Sequence, residues 1–337
     1  MDLLEAAERL EFPTQAWKEF PQTDGIQLPD NPTDLLTYCG VAEADQQAML
    51  AARPDPDEHP EWWAVLSAIA GSLDRDWERP LPPTGFKSWP VVPENSPAVG
   101  MFAWAWALLS VVPRLLDTHA QRGVPEKVTK ATIVALGGIL ISHREVYGRP
   151  GVGLMPLWGP PLRFRCADYE IGRLNFTRTE LGLGYGVSGR LLSIHIPPTG
   201  PLDAAAAAES IDAAAALFPQ WYPDEPIYAF TCHSWLLDPQ LADHLPAESN
   251  IVRFQQRFRL LPHLPPSTAF EGDHELMRLA LQLDPPDGAL SAADLAAIPE
   301  ATSLQRAFVR HLSAGRHFHL RTGLLTDYGR DSHRHLE

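Results

Sequence analysis

Residues Leu191–Leu237 read LLSIHIPPTGPLDAAAAAESIDAAAALFPQWYPDEPIYAFTCHSWLL. The run LLSIHIP has strand character and stops at Pro197-Pro198. Thr199, Gly200 and Pro201 form a tight loop. The alanine-rich run that follows predicts a helix from Leu202 or Asp203 to about Phe218, and IYAFTCHSWLL predicts a second strand. In α/β folds, a strand, a turn, a helix N-terminus and a further strand aim backbone N–H groups at an anionic ligand.

The sequence around this stretch extends it into a sheet. Leu162–Tyr169 (LRFRCADY) and Ile171–Thr177 alternate in polarity, and with Leu191–Ile196 they predict an antiparallel meander. Gly182–Gly189 (GLGYGVSG) is its glycine-rich turn; it lies between strands, so it is no phosphate loop. Downstream, Asp238 caps a helix with Pro239 in its first turn, and Ile251–Leu260 (IVRFQQRFRL) reads as a strand. Glu275–Leu283 and Ser303–Leu312 read as helices, the latter capped by Ser303, and Arg316–Leu325 as the last strand. The order β-β-β-α-β-α-β-α-α-β fits a mixed sheet with one central strand–helix–strand crossover.

Upstream the period is helical. Residues 2–10, Thr33–Cys39, Glu43–Ala52 and Glu61–Leu73 predict short helices. Met101–Ala120 predicts a strongly apolar helix that Pro113 kinks or breaks, and Pro125–Tyr147 another, with Pro125 in its first turn. Trp62, Trp63, Trp104 and Trp106 recur at helical spacing, which favours core packing over a pocket lining. The break GRPGVG, Gly148–Gly153, separates a helical domain, residues 1–148, from a second domain, residues 149–328.

The totals limit the partners. A formal net charge of −15 over 337 residues disfavours nucleic acid and anionic membrane surfaces. A local arginine cluster still leaves room for a small anion. Cys39, Cys166 and Cys232 have neither disulfide-framework nor zinc spacing, which suits the cytosol. The first residues lack a signal-peptide profile, and no unbroken apolar run approaches the ~18 residues of a membrane span. No Walker loop, HExxH or GxSxG is present, and no GxGxxG dinucleotide fingerprint leads from a strand into a helix.

The stretches YEIGRLNFTR (169–178), LLSIHIPPTGPL (191–202), CHSWLLDPQL (232–241), SNIVRFQQRFRL (249–260) and RTGLL (321–325) resemble a family of bacterial, mostly actinobacterial, acyltransferases. In that family a helical N-terminal domain precedes a GNAT-like domain. The resemblance implies an α+β protein, an all-helical first domain followed by a GNAT-like mixed-sheet α/β domain, the helices covering one side. It implies acyl transfer from acyl-CoA, acetyl-CoA or an acyl-carrier thioester to an amine of a small molecule or peptide. It also implies that strand Leu191–Pro197, with Ile194 and Ile196, splays from strand Ile227–Leu236 and receives pantetheine as an added strand. Pyrophosphate would then sit on Thr199, Gly200, Leu202, Asp203 and Ala204. The common loop in that fold is Gln/Arg-x-x-Gly-x-Gly/Ala; Pro197, Pro198 and Pro201 depart from it and have no N–H to give. A non-catalytic binding or regulatory module with a lapsed CoA loop is the competing reading.

Three polar residues are catalytic candidates. If Ile194 and Ile196 face the helix, His195 faces the cleft, where an imidazole can take a proton from an amine. His233 and Ser234 are neighbours on the second strand and face opposite sides. His233 is a candidate base, and Ser234 a polar group near the thioester or a strand-end anchor. Cys232 is the least favoured, as a buried thiol that packs. Arg173, Arg178, Arg253, Arg257 and Arg259 either hold an anion or pair with surface carboxylates, the latter favoured. His317 and His319 share a predicted strand face, with His311 nearby, but no third ligand has metal spacing, so no metal is expected.

Overall fold

The structure is a computed structural model that describes residues 1–23, 25–82, 88–180, 190–197, 200–264 and 270–325. The glycine-rich turn, with Thr199 and Pro198, lies outside the described residues. Two compact units emerge, Met1–Glu170 and Ile171–Glu337. The architecture is α+β: a helical N-terminal region and a mixed-sheet C-terminal region.

The first unit is built from α1 (Leu3–Arg9), α2 (Pro32–Tyr38), α3 (Glu43–Ala51), α4 (Pro60–Arg75), α5 (Ala98–Ser110), α6 (Val112–Arg122), α7 (Glu126–Ile133), α8 (Ala135–Tyr147) and α9 (Gly159–Phe164). Its centre is α5, which packs on α4 so closely that a Cβ at Gly100 would lie 2.4 Å from the Trp62 ring. Trp104 and Trp106 are fully buried, and each indole N–H still finds a carbonyl, Pro90 at 3.0 Å and Met49 at 3.2 Å. A buried indole usually finds a partner for its N–H, and these two tryptophans are packing residues. The helix breaks at Val111, and Pro113 falls in the first turn of α6. By length and composition Ala98–Arg122 is apolar enough to cross a membrane, which corrects the expectation of no such run. Its most apolar window is 78% buried inside the fold, as a core helix is.

The sheet has the order β1-β2-β3-β4-β6-β5. Its strands are β1 (Asp168–Ile171), β2 (Leu174–Glu180), β3 (Arg190–His195), β4 (Ala229–Ser234), β5 (Phe258–Leu260) and β6 (Arg321–Leu325). Between β3 and β4 the chain crosses over through α10 (Ala204–Trp221). The later helices are α11 (Asn250–Gln255), α12 (Glu271–Leu276), α13 (Ala292–Ala297) and α14 (Ser303–Ser313). The second unit is locked behind the crossover by Arg178 on β2, whose guanidinium is 2% exposed. It pairs with both oxygens of Glu225, in the link to β4, and lies 3.5 Å over the Tyr222 ring. Arg178 thus pairs with a carboxylate, as favoured, but inside the fold.

Several local readings are corrected. Leu162–Tyr169 is not one strand: Pro160 and Pro161 start α9, Cys166 turns the chain at φ 60°, and β1 begins at Asp168. Ile251–Leu260 is α11 followed by β5, because the Ser249 hydroxyl accepts the Val252 N–H and caps a helix. Arg253, Arg257 and Arg259 therefore share no strand face. The segment after Asp238 is a tight 3-10 turn, Pro239–Asp243, rather than an α-helix. Residues 125–147 divide at Val134 with Pro125 outside the first turn, and Thr302, not Ser303, caps α14. His317 and His319 precede β6. The Asp273 and Asp238 carboxylates take the N–H groups of Phe318 and His319, which a ladder would otherwise use.

Two stability predictions arise here. His119 is 1% exposed, bonds Thr129 through Nδ1 at 2.9 Å and stacks on Tyr169. Burial pushes its pKa down to about 4. The unfolded chain, titrating near about 6.5, then binds the extra proton, so stability falls as pH drops from about 6.5 toward 4. Urea unfolding should lose about 2 kcal/mol between pH 6.5 and 5 through this group, and His119→Leu should flatten that slope. Glu225→Gln removes the carboxylate from a buried guanidinium and should cost about 3 kcal/mol in the same assay at pH 7.

Candidate active site

β3 and β4 run parallel and in register at Leu191–Ala229, Leu192–Phe230 and Ser193–Thr231. There, among the described residues, their ladder ends. β3 continues alongside β2 through Phe176–Ile194 and Asn175–His195. β4 instead follows β6 through Cys232–Gly323, His233–Thr322 and Ser234–Arg321. Each strand is held from its outer side, so the two part and leave a wedge between Ile194–Ile196 and Cys232–Ser234. Unpaired strand edges accept an extended ligand as an added strand.

Register also fixes the faces. His195 and His233 each lie two residues past the Ser193–Thr231 pair, so both project from one face of the sheet. α10 packs on the other face: its Phe218 lies 6.5 Å from Phe176, which pairs with Ile194. Two imidazoles thus stand on opposite sides of the wedge, away from the crossover helix. His195 is half-buried. His233 is exposed by area, yet desolvation still lowers its pKa from the ordinary histidine value, with Glu271 opposing. A side chain both open to solvent and crowded by protein lies on the wall of a concavity. Its Nδ1 is 2.8 Å from the Thr322 hydroxyl, its partner on β6.

The sequence reading missed part of this wall. α12 places Glu271 within electrostatic reach of His233, and Glu275, one turn on, within reach of Glu271. Burial, then the neighbouring carboxylate, pushes Glu275 up to about 7. The sequence reading starts this helix at Glu275, whereas α12 begins at Glu271 and so puts both carboxylates one turn apart on one helix. The other candidates are placed differently. The Ser234 hydroxyl accepts the Leu236 N–H at 3.1 Å and so caps the turn after β4. Cys232 is fully buried, with its thiol pushed up to about 12, so it stays protonated and packs. His317 binds the buried Asp273 at 2.7 Å. Among the described residues no group of three or more metal-ligating side chains converges.

At the mouth of α10, Gly200 has φ 117° and Leu202 is buried. Asp203 caps the helix by accepting the Ala206 N–H, and its own N–H donates to the Pro201 carbonyl. Asp203 therefore brings a carboxylate to the helix end and no donor. Ala204 and Ala205, first-turn residues without an intrahelical acceptor, supply the N–H groups there, with Leu202 ahead of them.

Comparison with known proteins places these features. Residues 30–161 match the N-acyltransferase N-terminal domain, and residues 169–325 the GNAT-like C-terminal domain. No curated protein matches the chain in sequence. Among solved structures, an acyltransferase in complex with decanoyl-CoA and teicoplanin is 29% identical, with a TM-score of 0.81 over 96% of this chain and 99% of the other. A mutant acyltransferase in complex with octanoyl-CoA is 28% identical, with a TM-score of 0.83 over 97% and 99%. An acyltransferase in complex with CoA and 10C-teicoplanin is 28% identical, with a TM-score of 0.81 over 97% and 99%. With both domain types in the same order and full-length structural likeness, the chain belongs to the N-acyltransferases that join an N-terminal acyltransferase domain to a GNAT-like C-terminal domain.

Proposed function

We propose that this enzyme moves an acyl group from acyl-CoA to an amine of a small molecule or peptide, in one ternary complex. The observation that carries the reading is the wedge between β3 and β4 with His195 and His233 on the same face, the one away from α10. Pantetheine fits the wedge as an added strand, and its thioester reaches the level of the two imidazoles. The amine nitrogen bonds to the thioester carbon, the C–S bond breaks, and the amine proton goes to an imidazole. We assign that proton to His195, with His233 as the alternative acceptor. Either ring can return it to the departing thiolate. Most of the rate comes from positioning and from removing that proton. The Glu271–Glu275 face attracts a cationic amine toward His233.

The solved relatives hold octanoyl-CoA and decanoyl-CoA, so we extend medium acyl chains to this donor. We extend the acceptor class, a bulky amine-bearing small molecule or peptide, from their teicoplanin complexes. All three cysteines are free, which fits work in the cytosol, where acyl-CoA is made. The pyrophosphate falls to Gly200, Leu202 and Ala204, with Thr199 as sequence candidate.

Calorimetric titration with acetyl-, octanoyl- and decanoyl-CoA tests the donor, and binding of none of them overturns it. His195→Ala should keep donor affinity and lower thiol release, with teicoplanin as the first acceptor tried, by about 10²-fold or more. Unchanged turnover transfers the base to His233. In that case the acid limb of kcat/KM should lie below the ordinary histidine range, because a lowered pKa keeps the imidazole neutral as pH falls. Asp203→Asn keeps the cap and removes the carboxylate beside the anion. Decanoyl-CoA affinity should rise about twofold to fivefold at low salt and converge with wild type at high salt.

A further inference from the structure

Arg173 sits at the β1–β2 turn, next to Gly172, whose Cβ would fall 2.5 Å from the Ser210 hydroxyl of α10. The Arg173 N–H donates to that hydroxyl at 2.7 Å, so the turn is seated on the crossover helix. From there its guanidinium reaches three carbonyls of the loop before α10: Nη1 to Pro197 at 2.9 Å, Nη2 to Gly200 at 2.6 Å and Nε to Pro201 at 2.8 Å. These oxygens flank the loop on both sides, and only a planar fork of donors spans them; a lysine ammonium is a single point. Arg173, expected to pair with a carboxylate or hold an anion, makes this backbone clamp.

The consequence is electrostatic. Three carbonyl dipoles that would repel a phosphate are turned onto one cation. In a planar trans peptide the N–H lies opposite the C=O, so binding the Pro201 oxygen directs the Leu202 N–H away from Arg173. The peptide bonds after Pro197 and Gly200 lead into prolines and have no N–H, so the loop gains by fixing its few donors rather than by adding more. We infer that Arg173 is the positioning residue that presets Gly200–Leu202 and the α10 N-terminus for the diphosphate of the acyl-CoA donor. This rests on the proposed function, since it assumes that diphosphate lies there.

Calorimetry with decanoyl-CoA and with decanoyl-pantetheine, which lacks the diphosphate, separates the two levels. If wild type binds both donors with equal affinity, no diphosphate seat exists and the reading of the loop itself falls. If wild type prefers decanoyl-CoA, Arg173→Ala and Arg173→Lys should each raise the Kd ratio, decanoyl-CoA over decanoyl-pantetheine, to the value its absence allows, about tenfold to a hundredfold lower in discrimination. Decanoyl-pantetheine binding reports that the variant is folded. Equal weakening toward both donors, or full discrimination by the lysine variant, would overturn the inference: the first makes Arg173 a general brace, the second makes its charge sufficient.

Discussion

The site depends on where one parallel ladder is allowed to stop. Among the described residues β3 and β4 are paired as far as Ser193–Thr231 and not beyond, while β2 holds one and β6 the other. A sheet ordinarily closes such a gap, because every unpaired strand edge leaves N–H and C=O groups without a ladder partner. Here the outer ladders continue past the point where the inner one ends, so the opening is built in. Arg178 and Glu225 brace the region behind the split, tying β2 to the segment that enters β4. The wedge is the consequence of unequal ladder lengths.

The loop beside the wedge works under a different restriction. Three prolines remove donors from a segment whose proposed role is to offer them. The same rings limit backbone freedom, and Arg173 holds the carbonyls of Pro197, Gly200 and Pro201. A loop poor in donors can still hold an anion if little ordering is left to do on binding. Asp203 works against that arrangement, because its cap stabilises α10 and places a negative charge at the helix end.

Legibility in the sequence followed the range of the interaction. Alternation in SIHI and TCHS put His195 opposite Ile194 and His233 opposite Ser234, since side-chain period is a property of the strand itself. The caps were harder. Val252, Phe254 and Phe258 alternate well enough to suggest one strand, but Ser249 makes a local hydrogen bond that starts a helix. Glu271 fell outside the predicted helix, which began at Glu275, and nothing local says that α12 meets His233. Arg173 was legible as a cation and illegible as a clamp, because its partners are main-chain oxygens without a residue signature. The carboxylates that draw His317 and His319 off a strand lie far away in sequence.

The acceptor side poses a conflict that the residues themselves resolve. Carboxylates near the wedge favour a cationic amine, but the cation is the form that does not attack a thioester. A base must therefore follow the attraction, and it must be neutral where the carboxylates are charged. In the proposed mechanism desolvation does this for His233, lowering its pKa against the opposing pull of Glu271. Glu275, pushed up to about 7, carries less than a full charge near neutrality and so limits the pull on the ammonium. In the proposed mechanism attraction and deprotonation are divided between α12 and the two strands. The parting of β3 and β4 is what brings those elements around one opening.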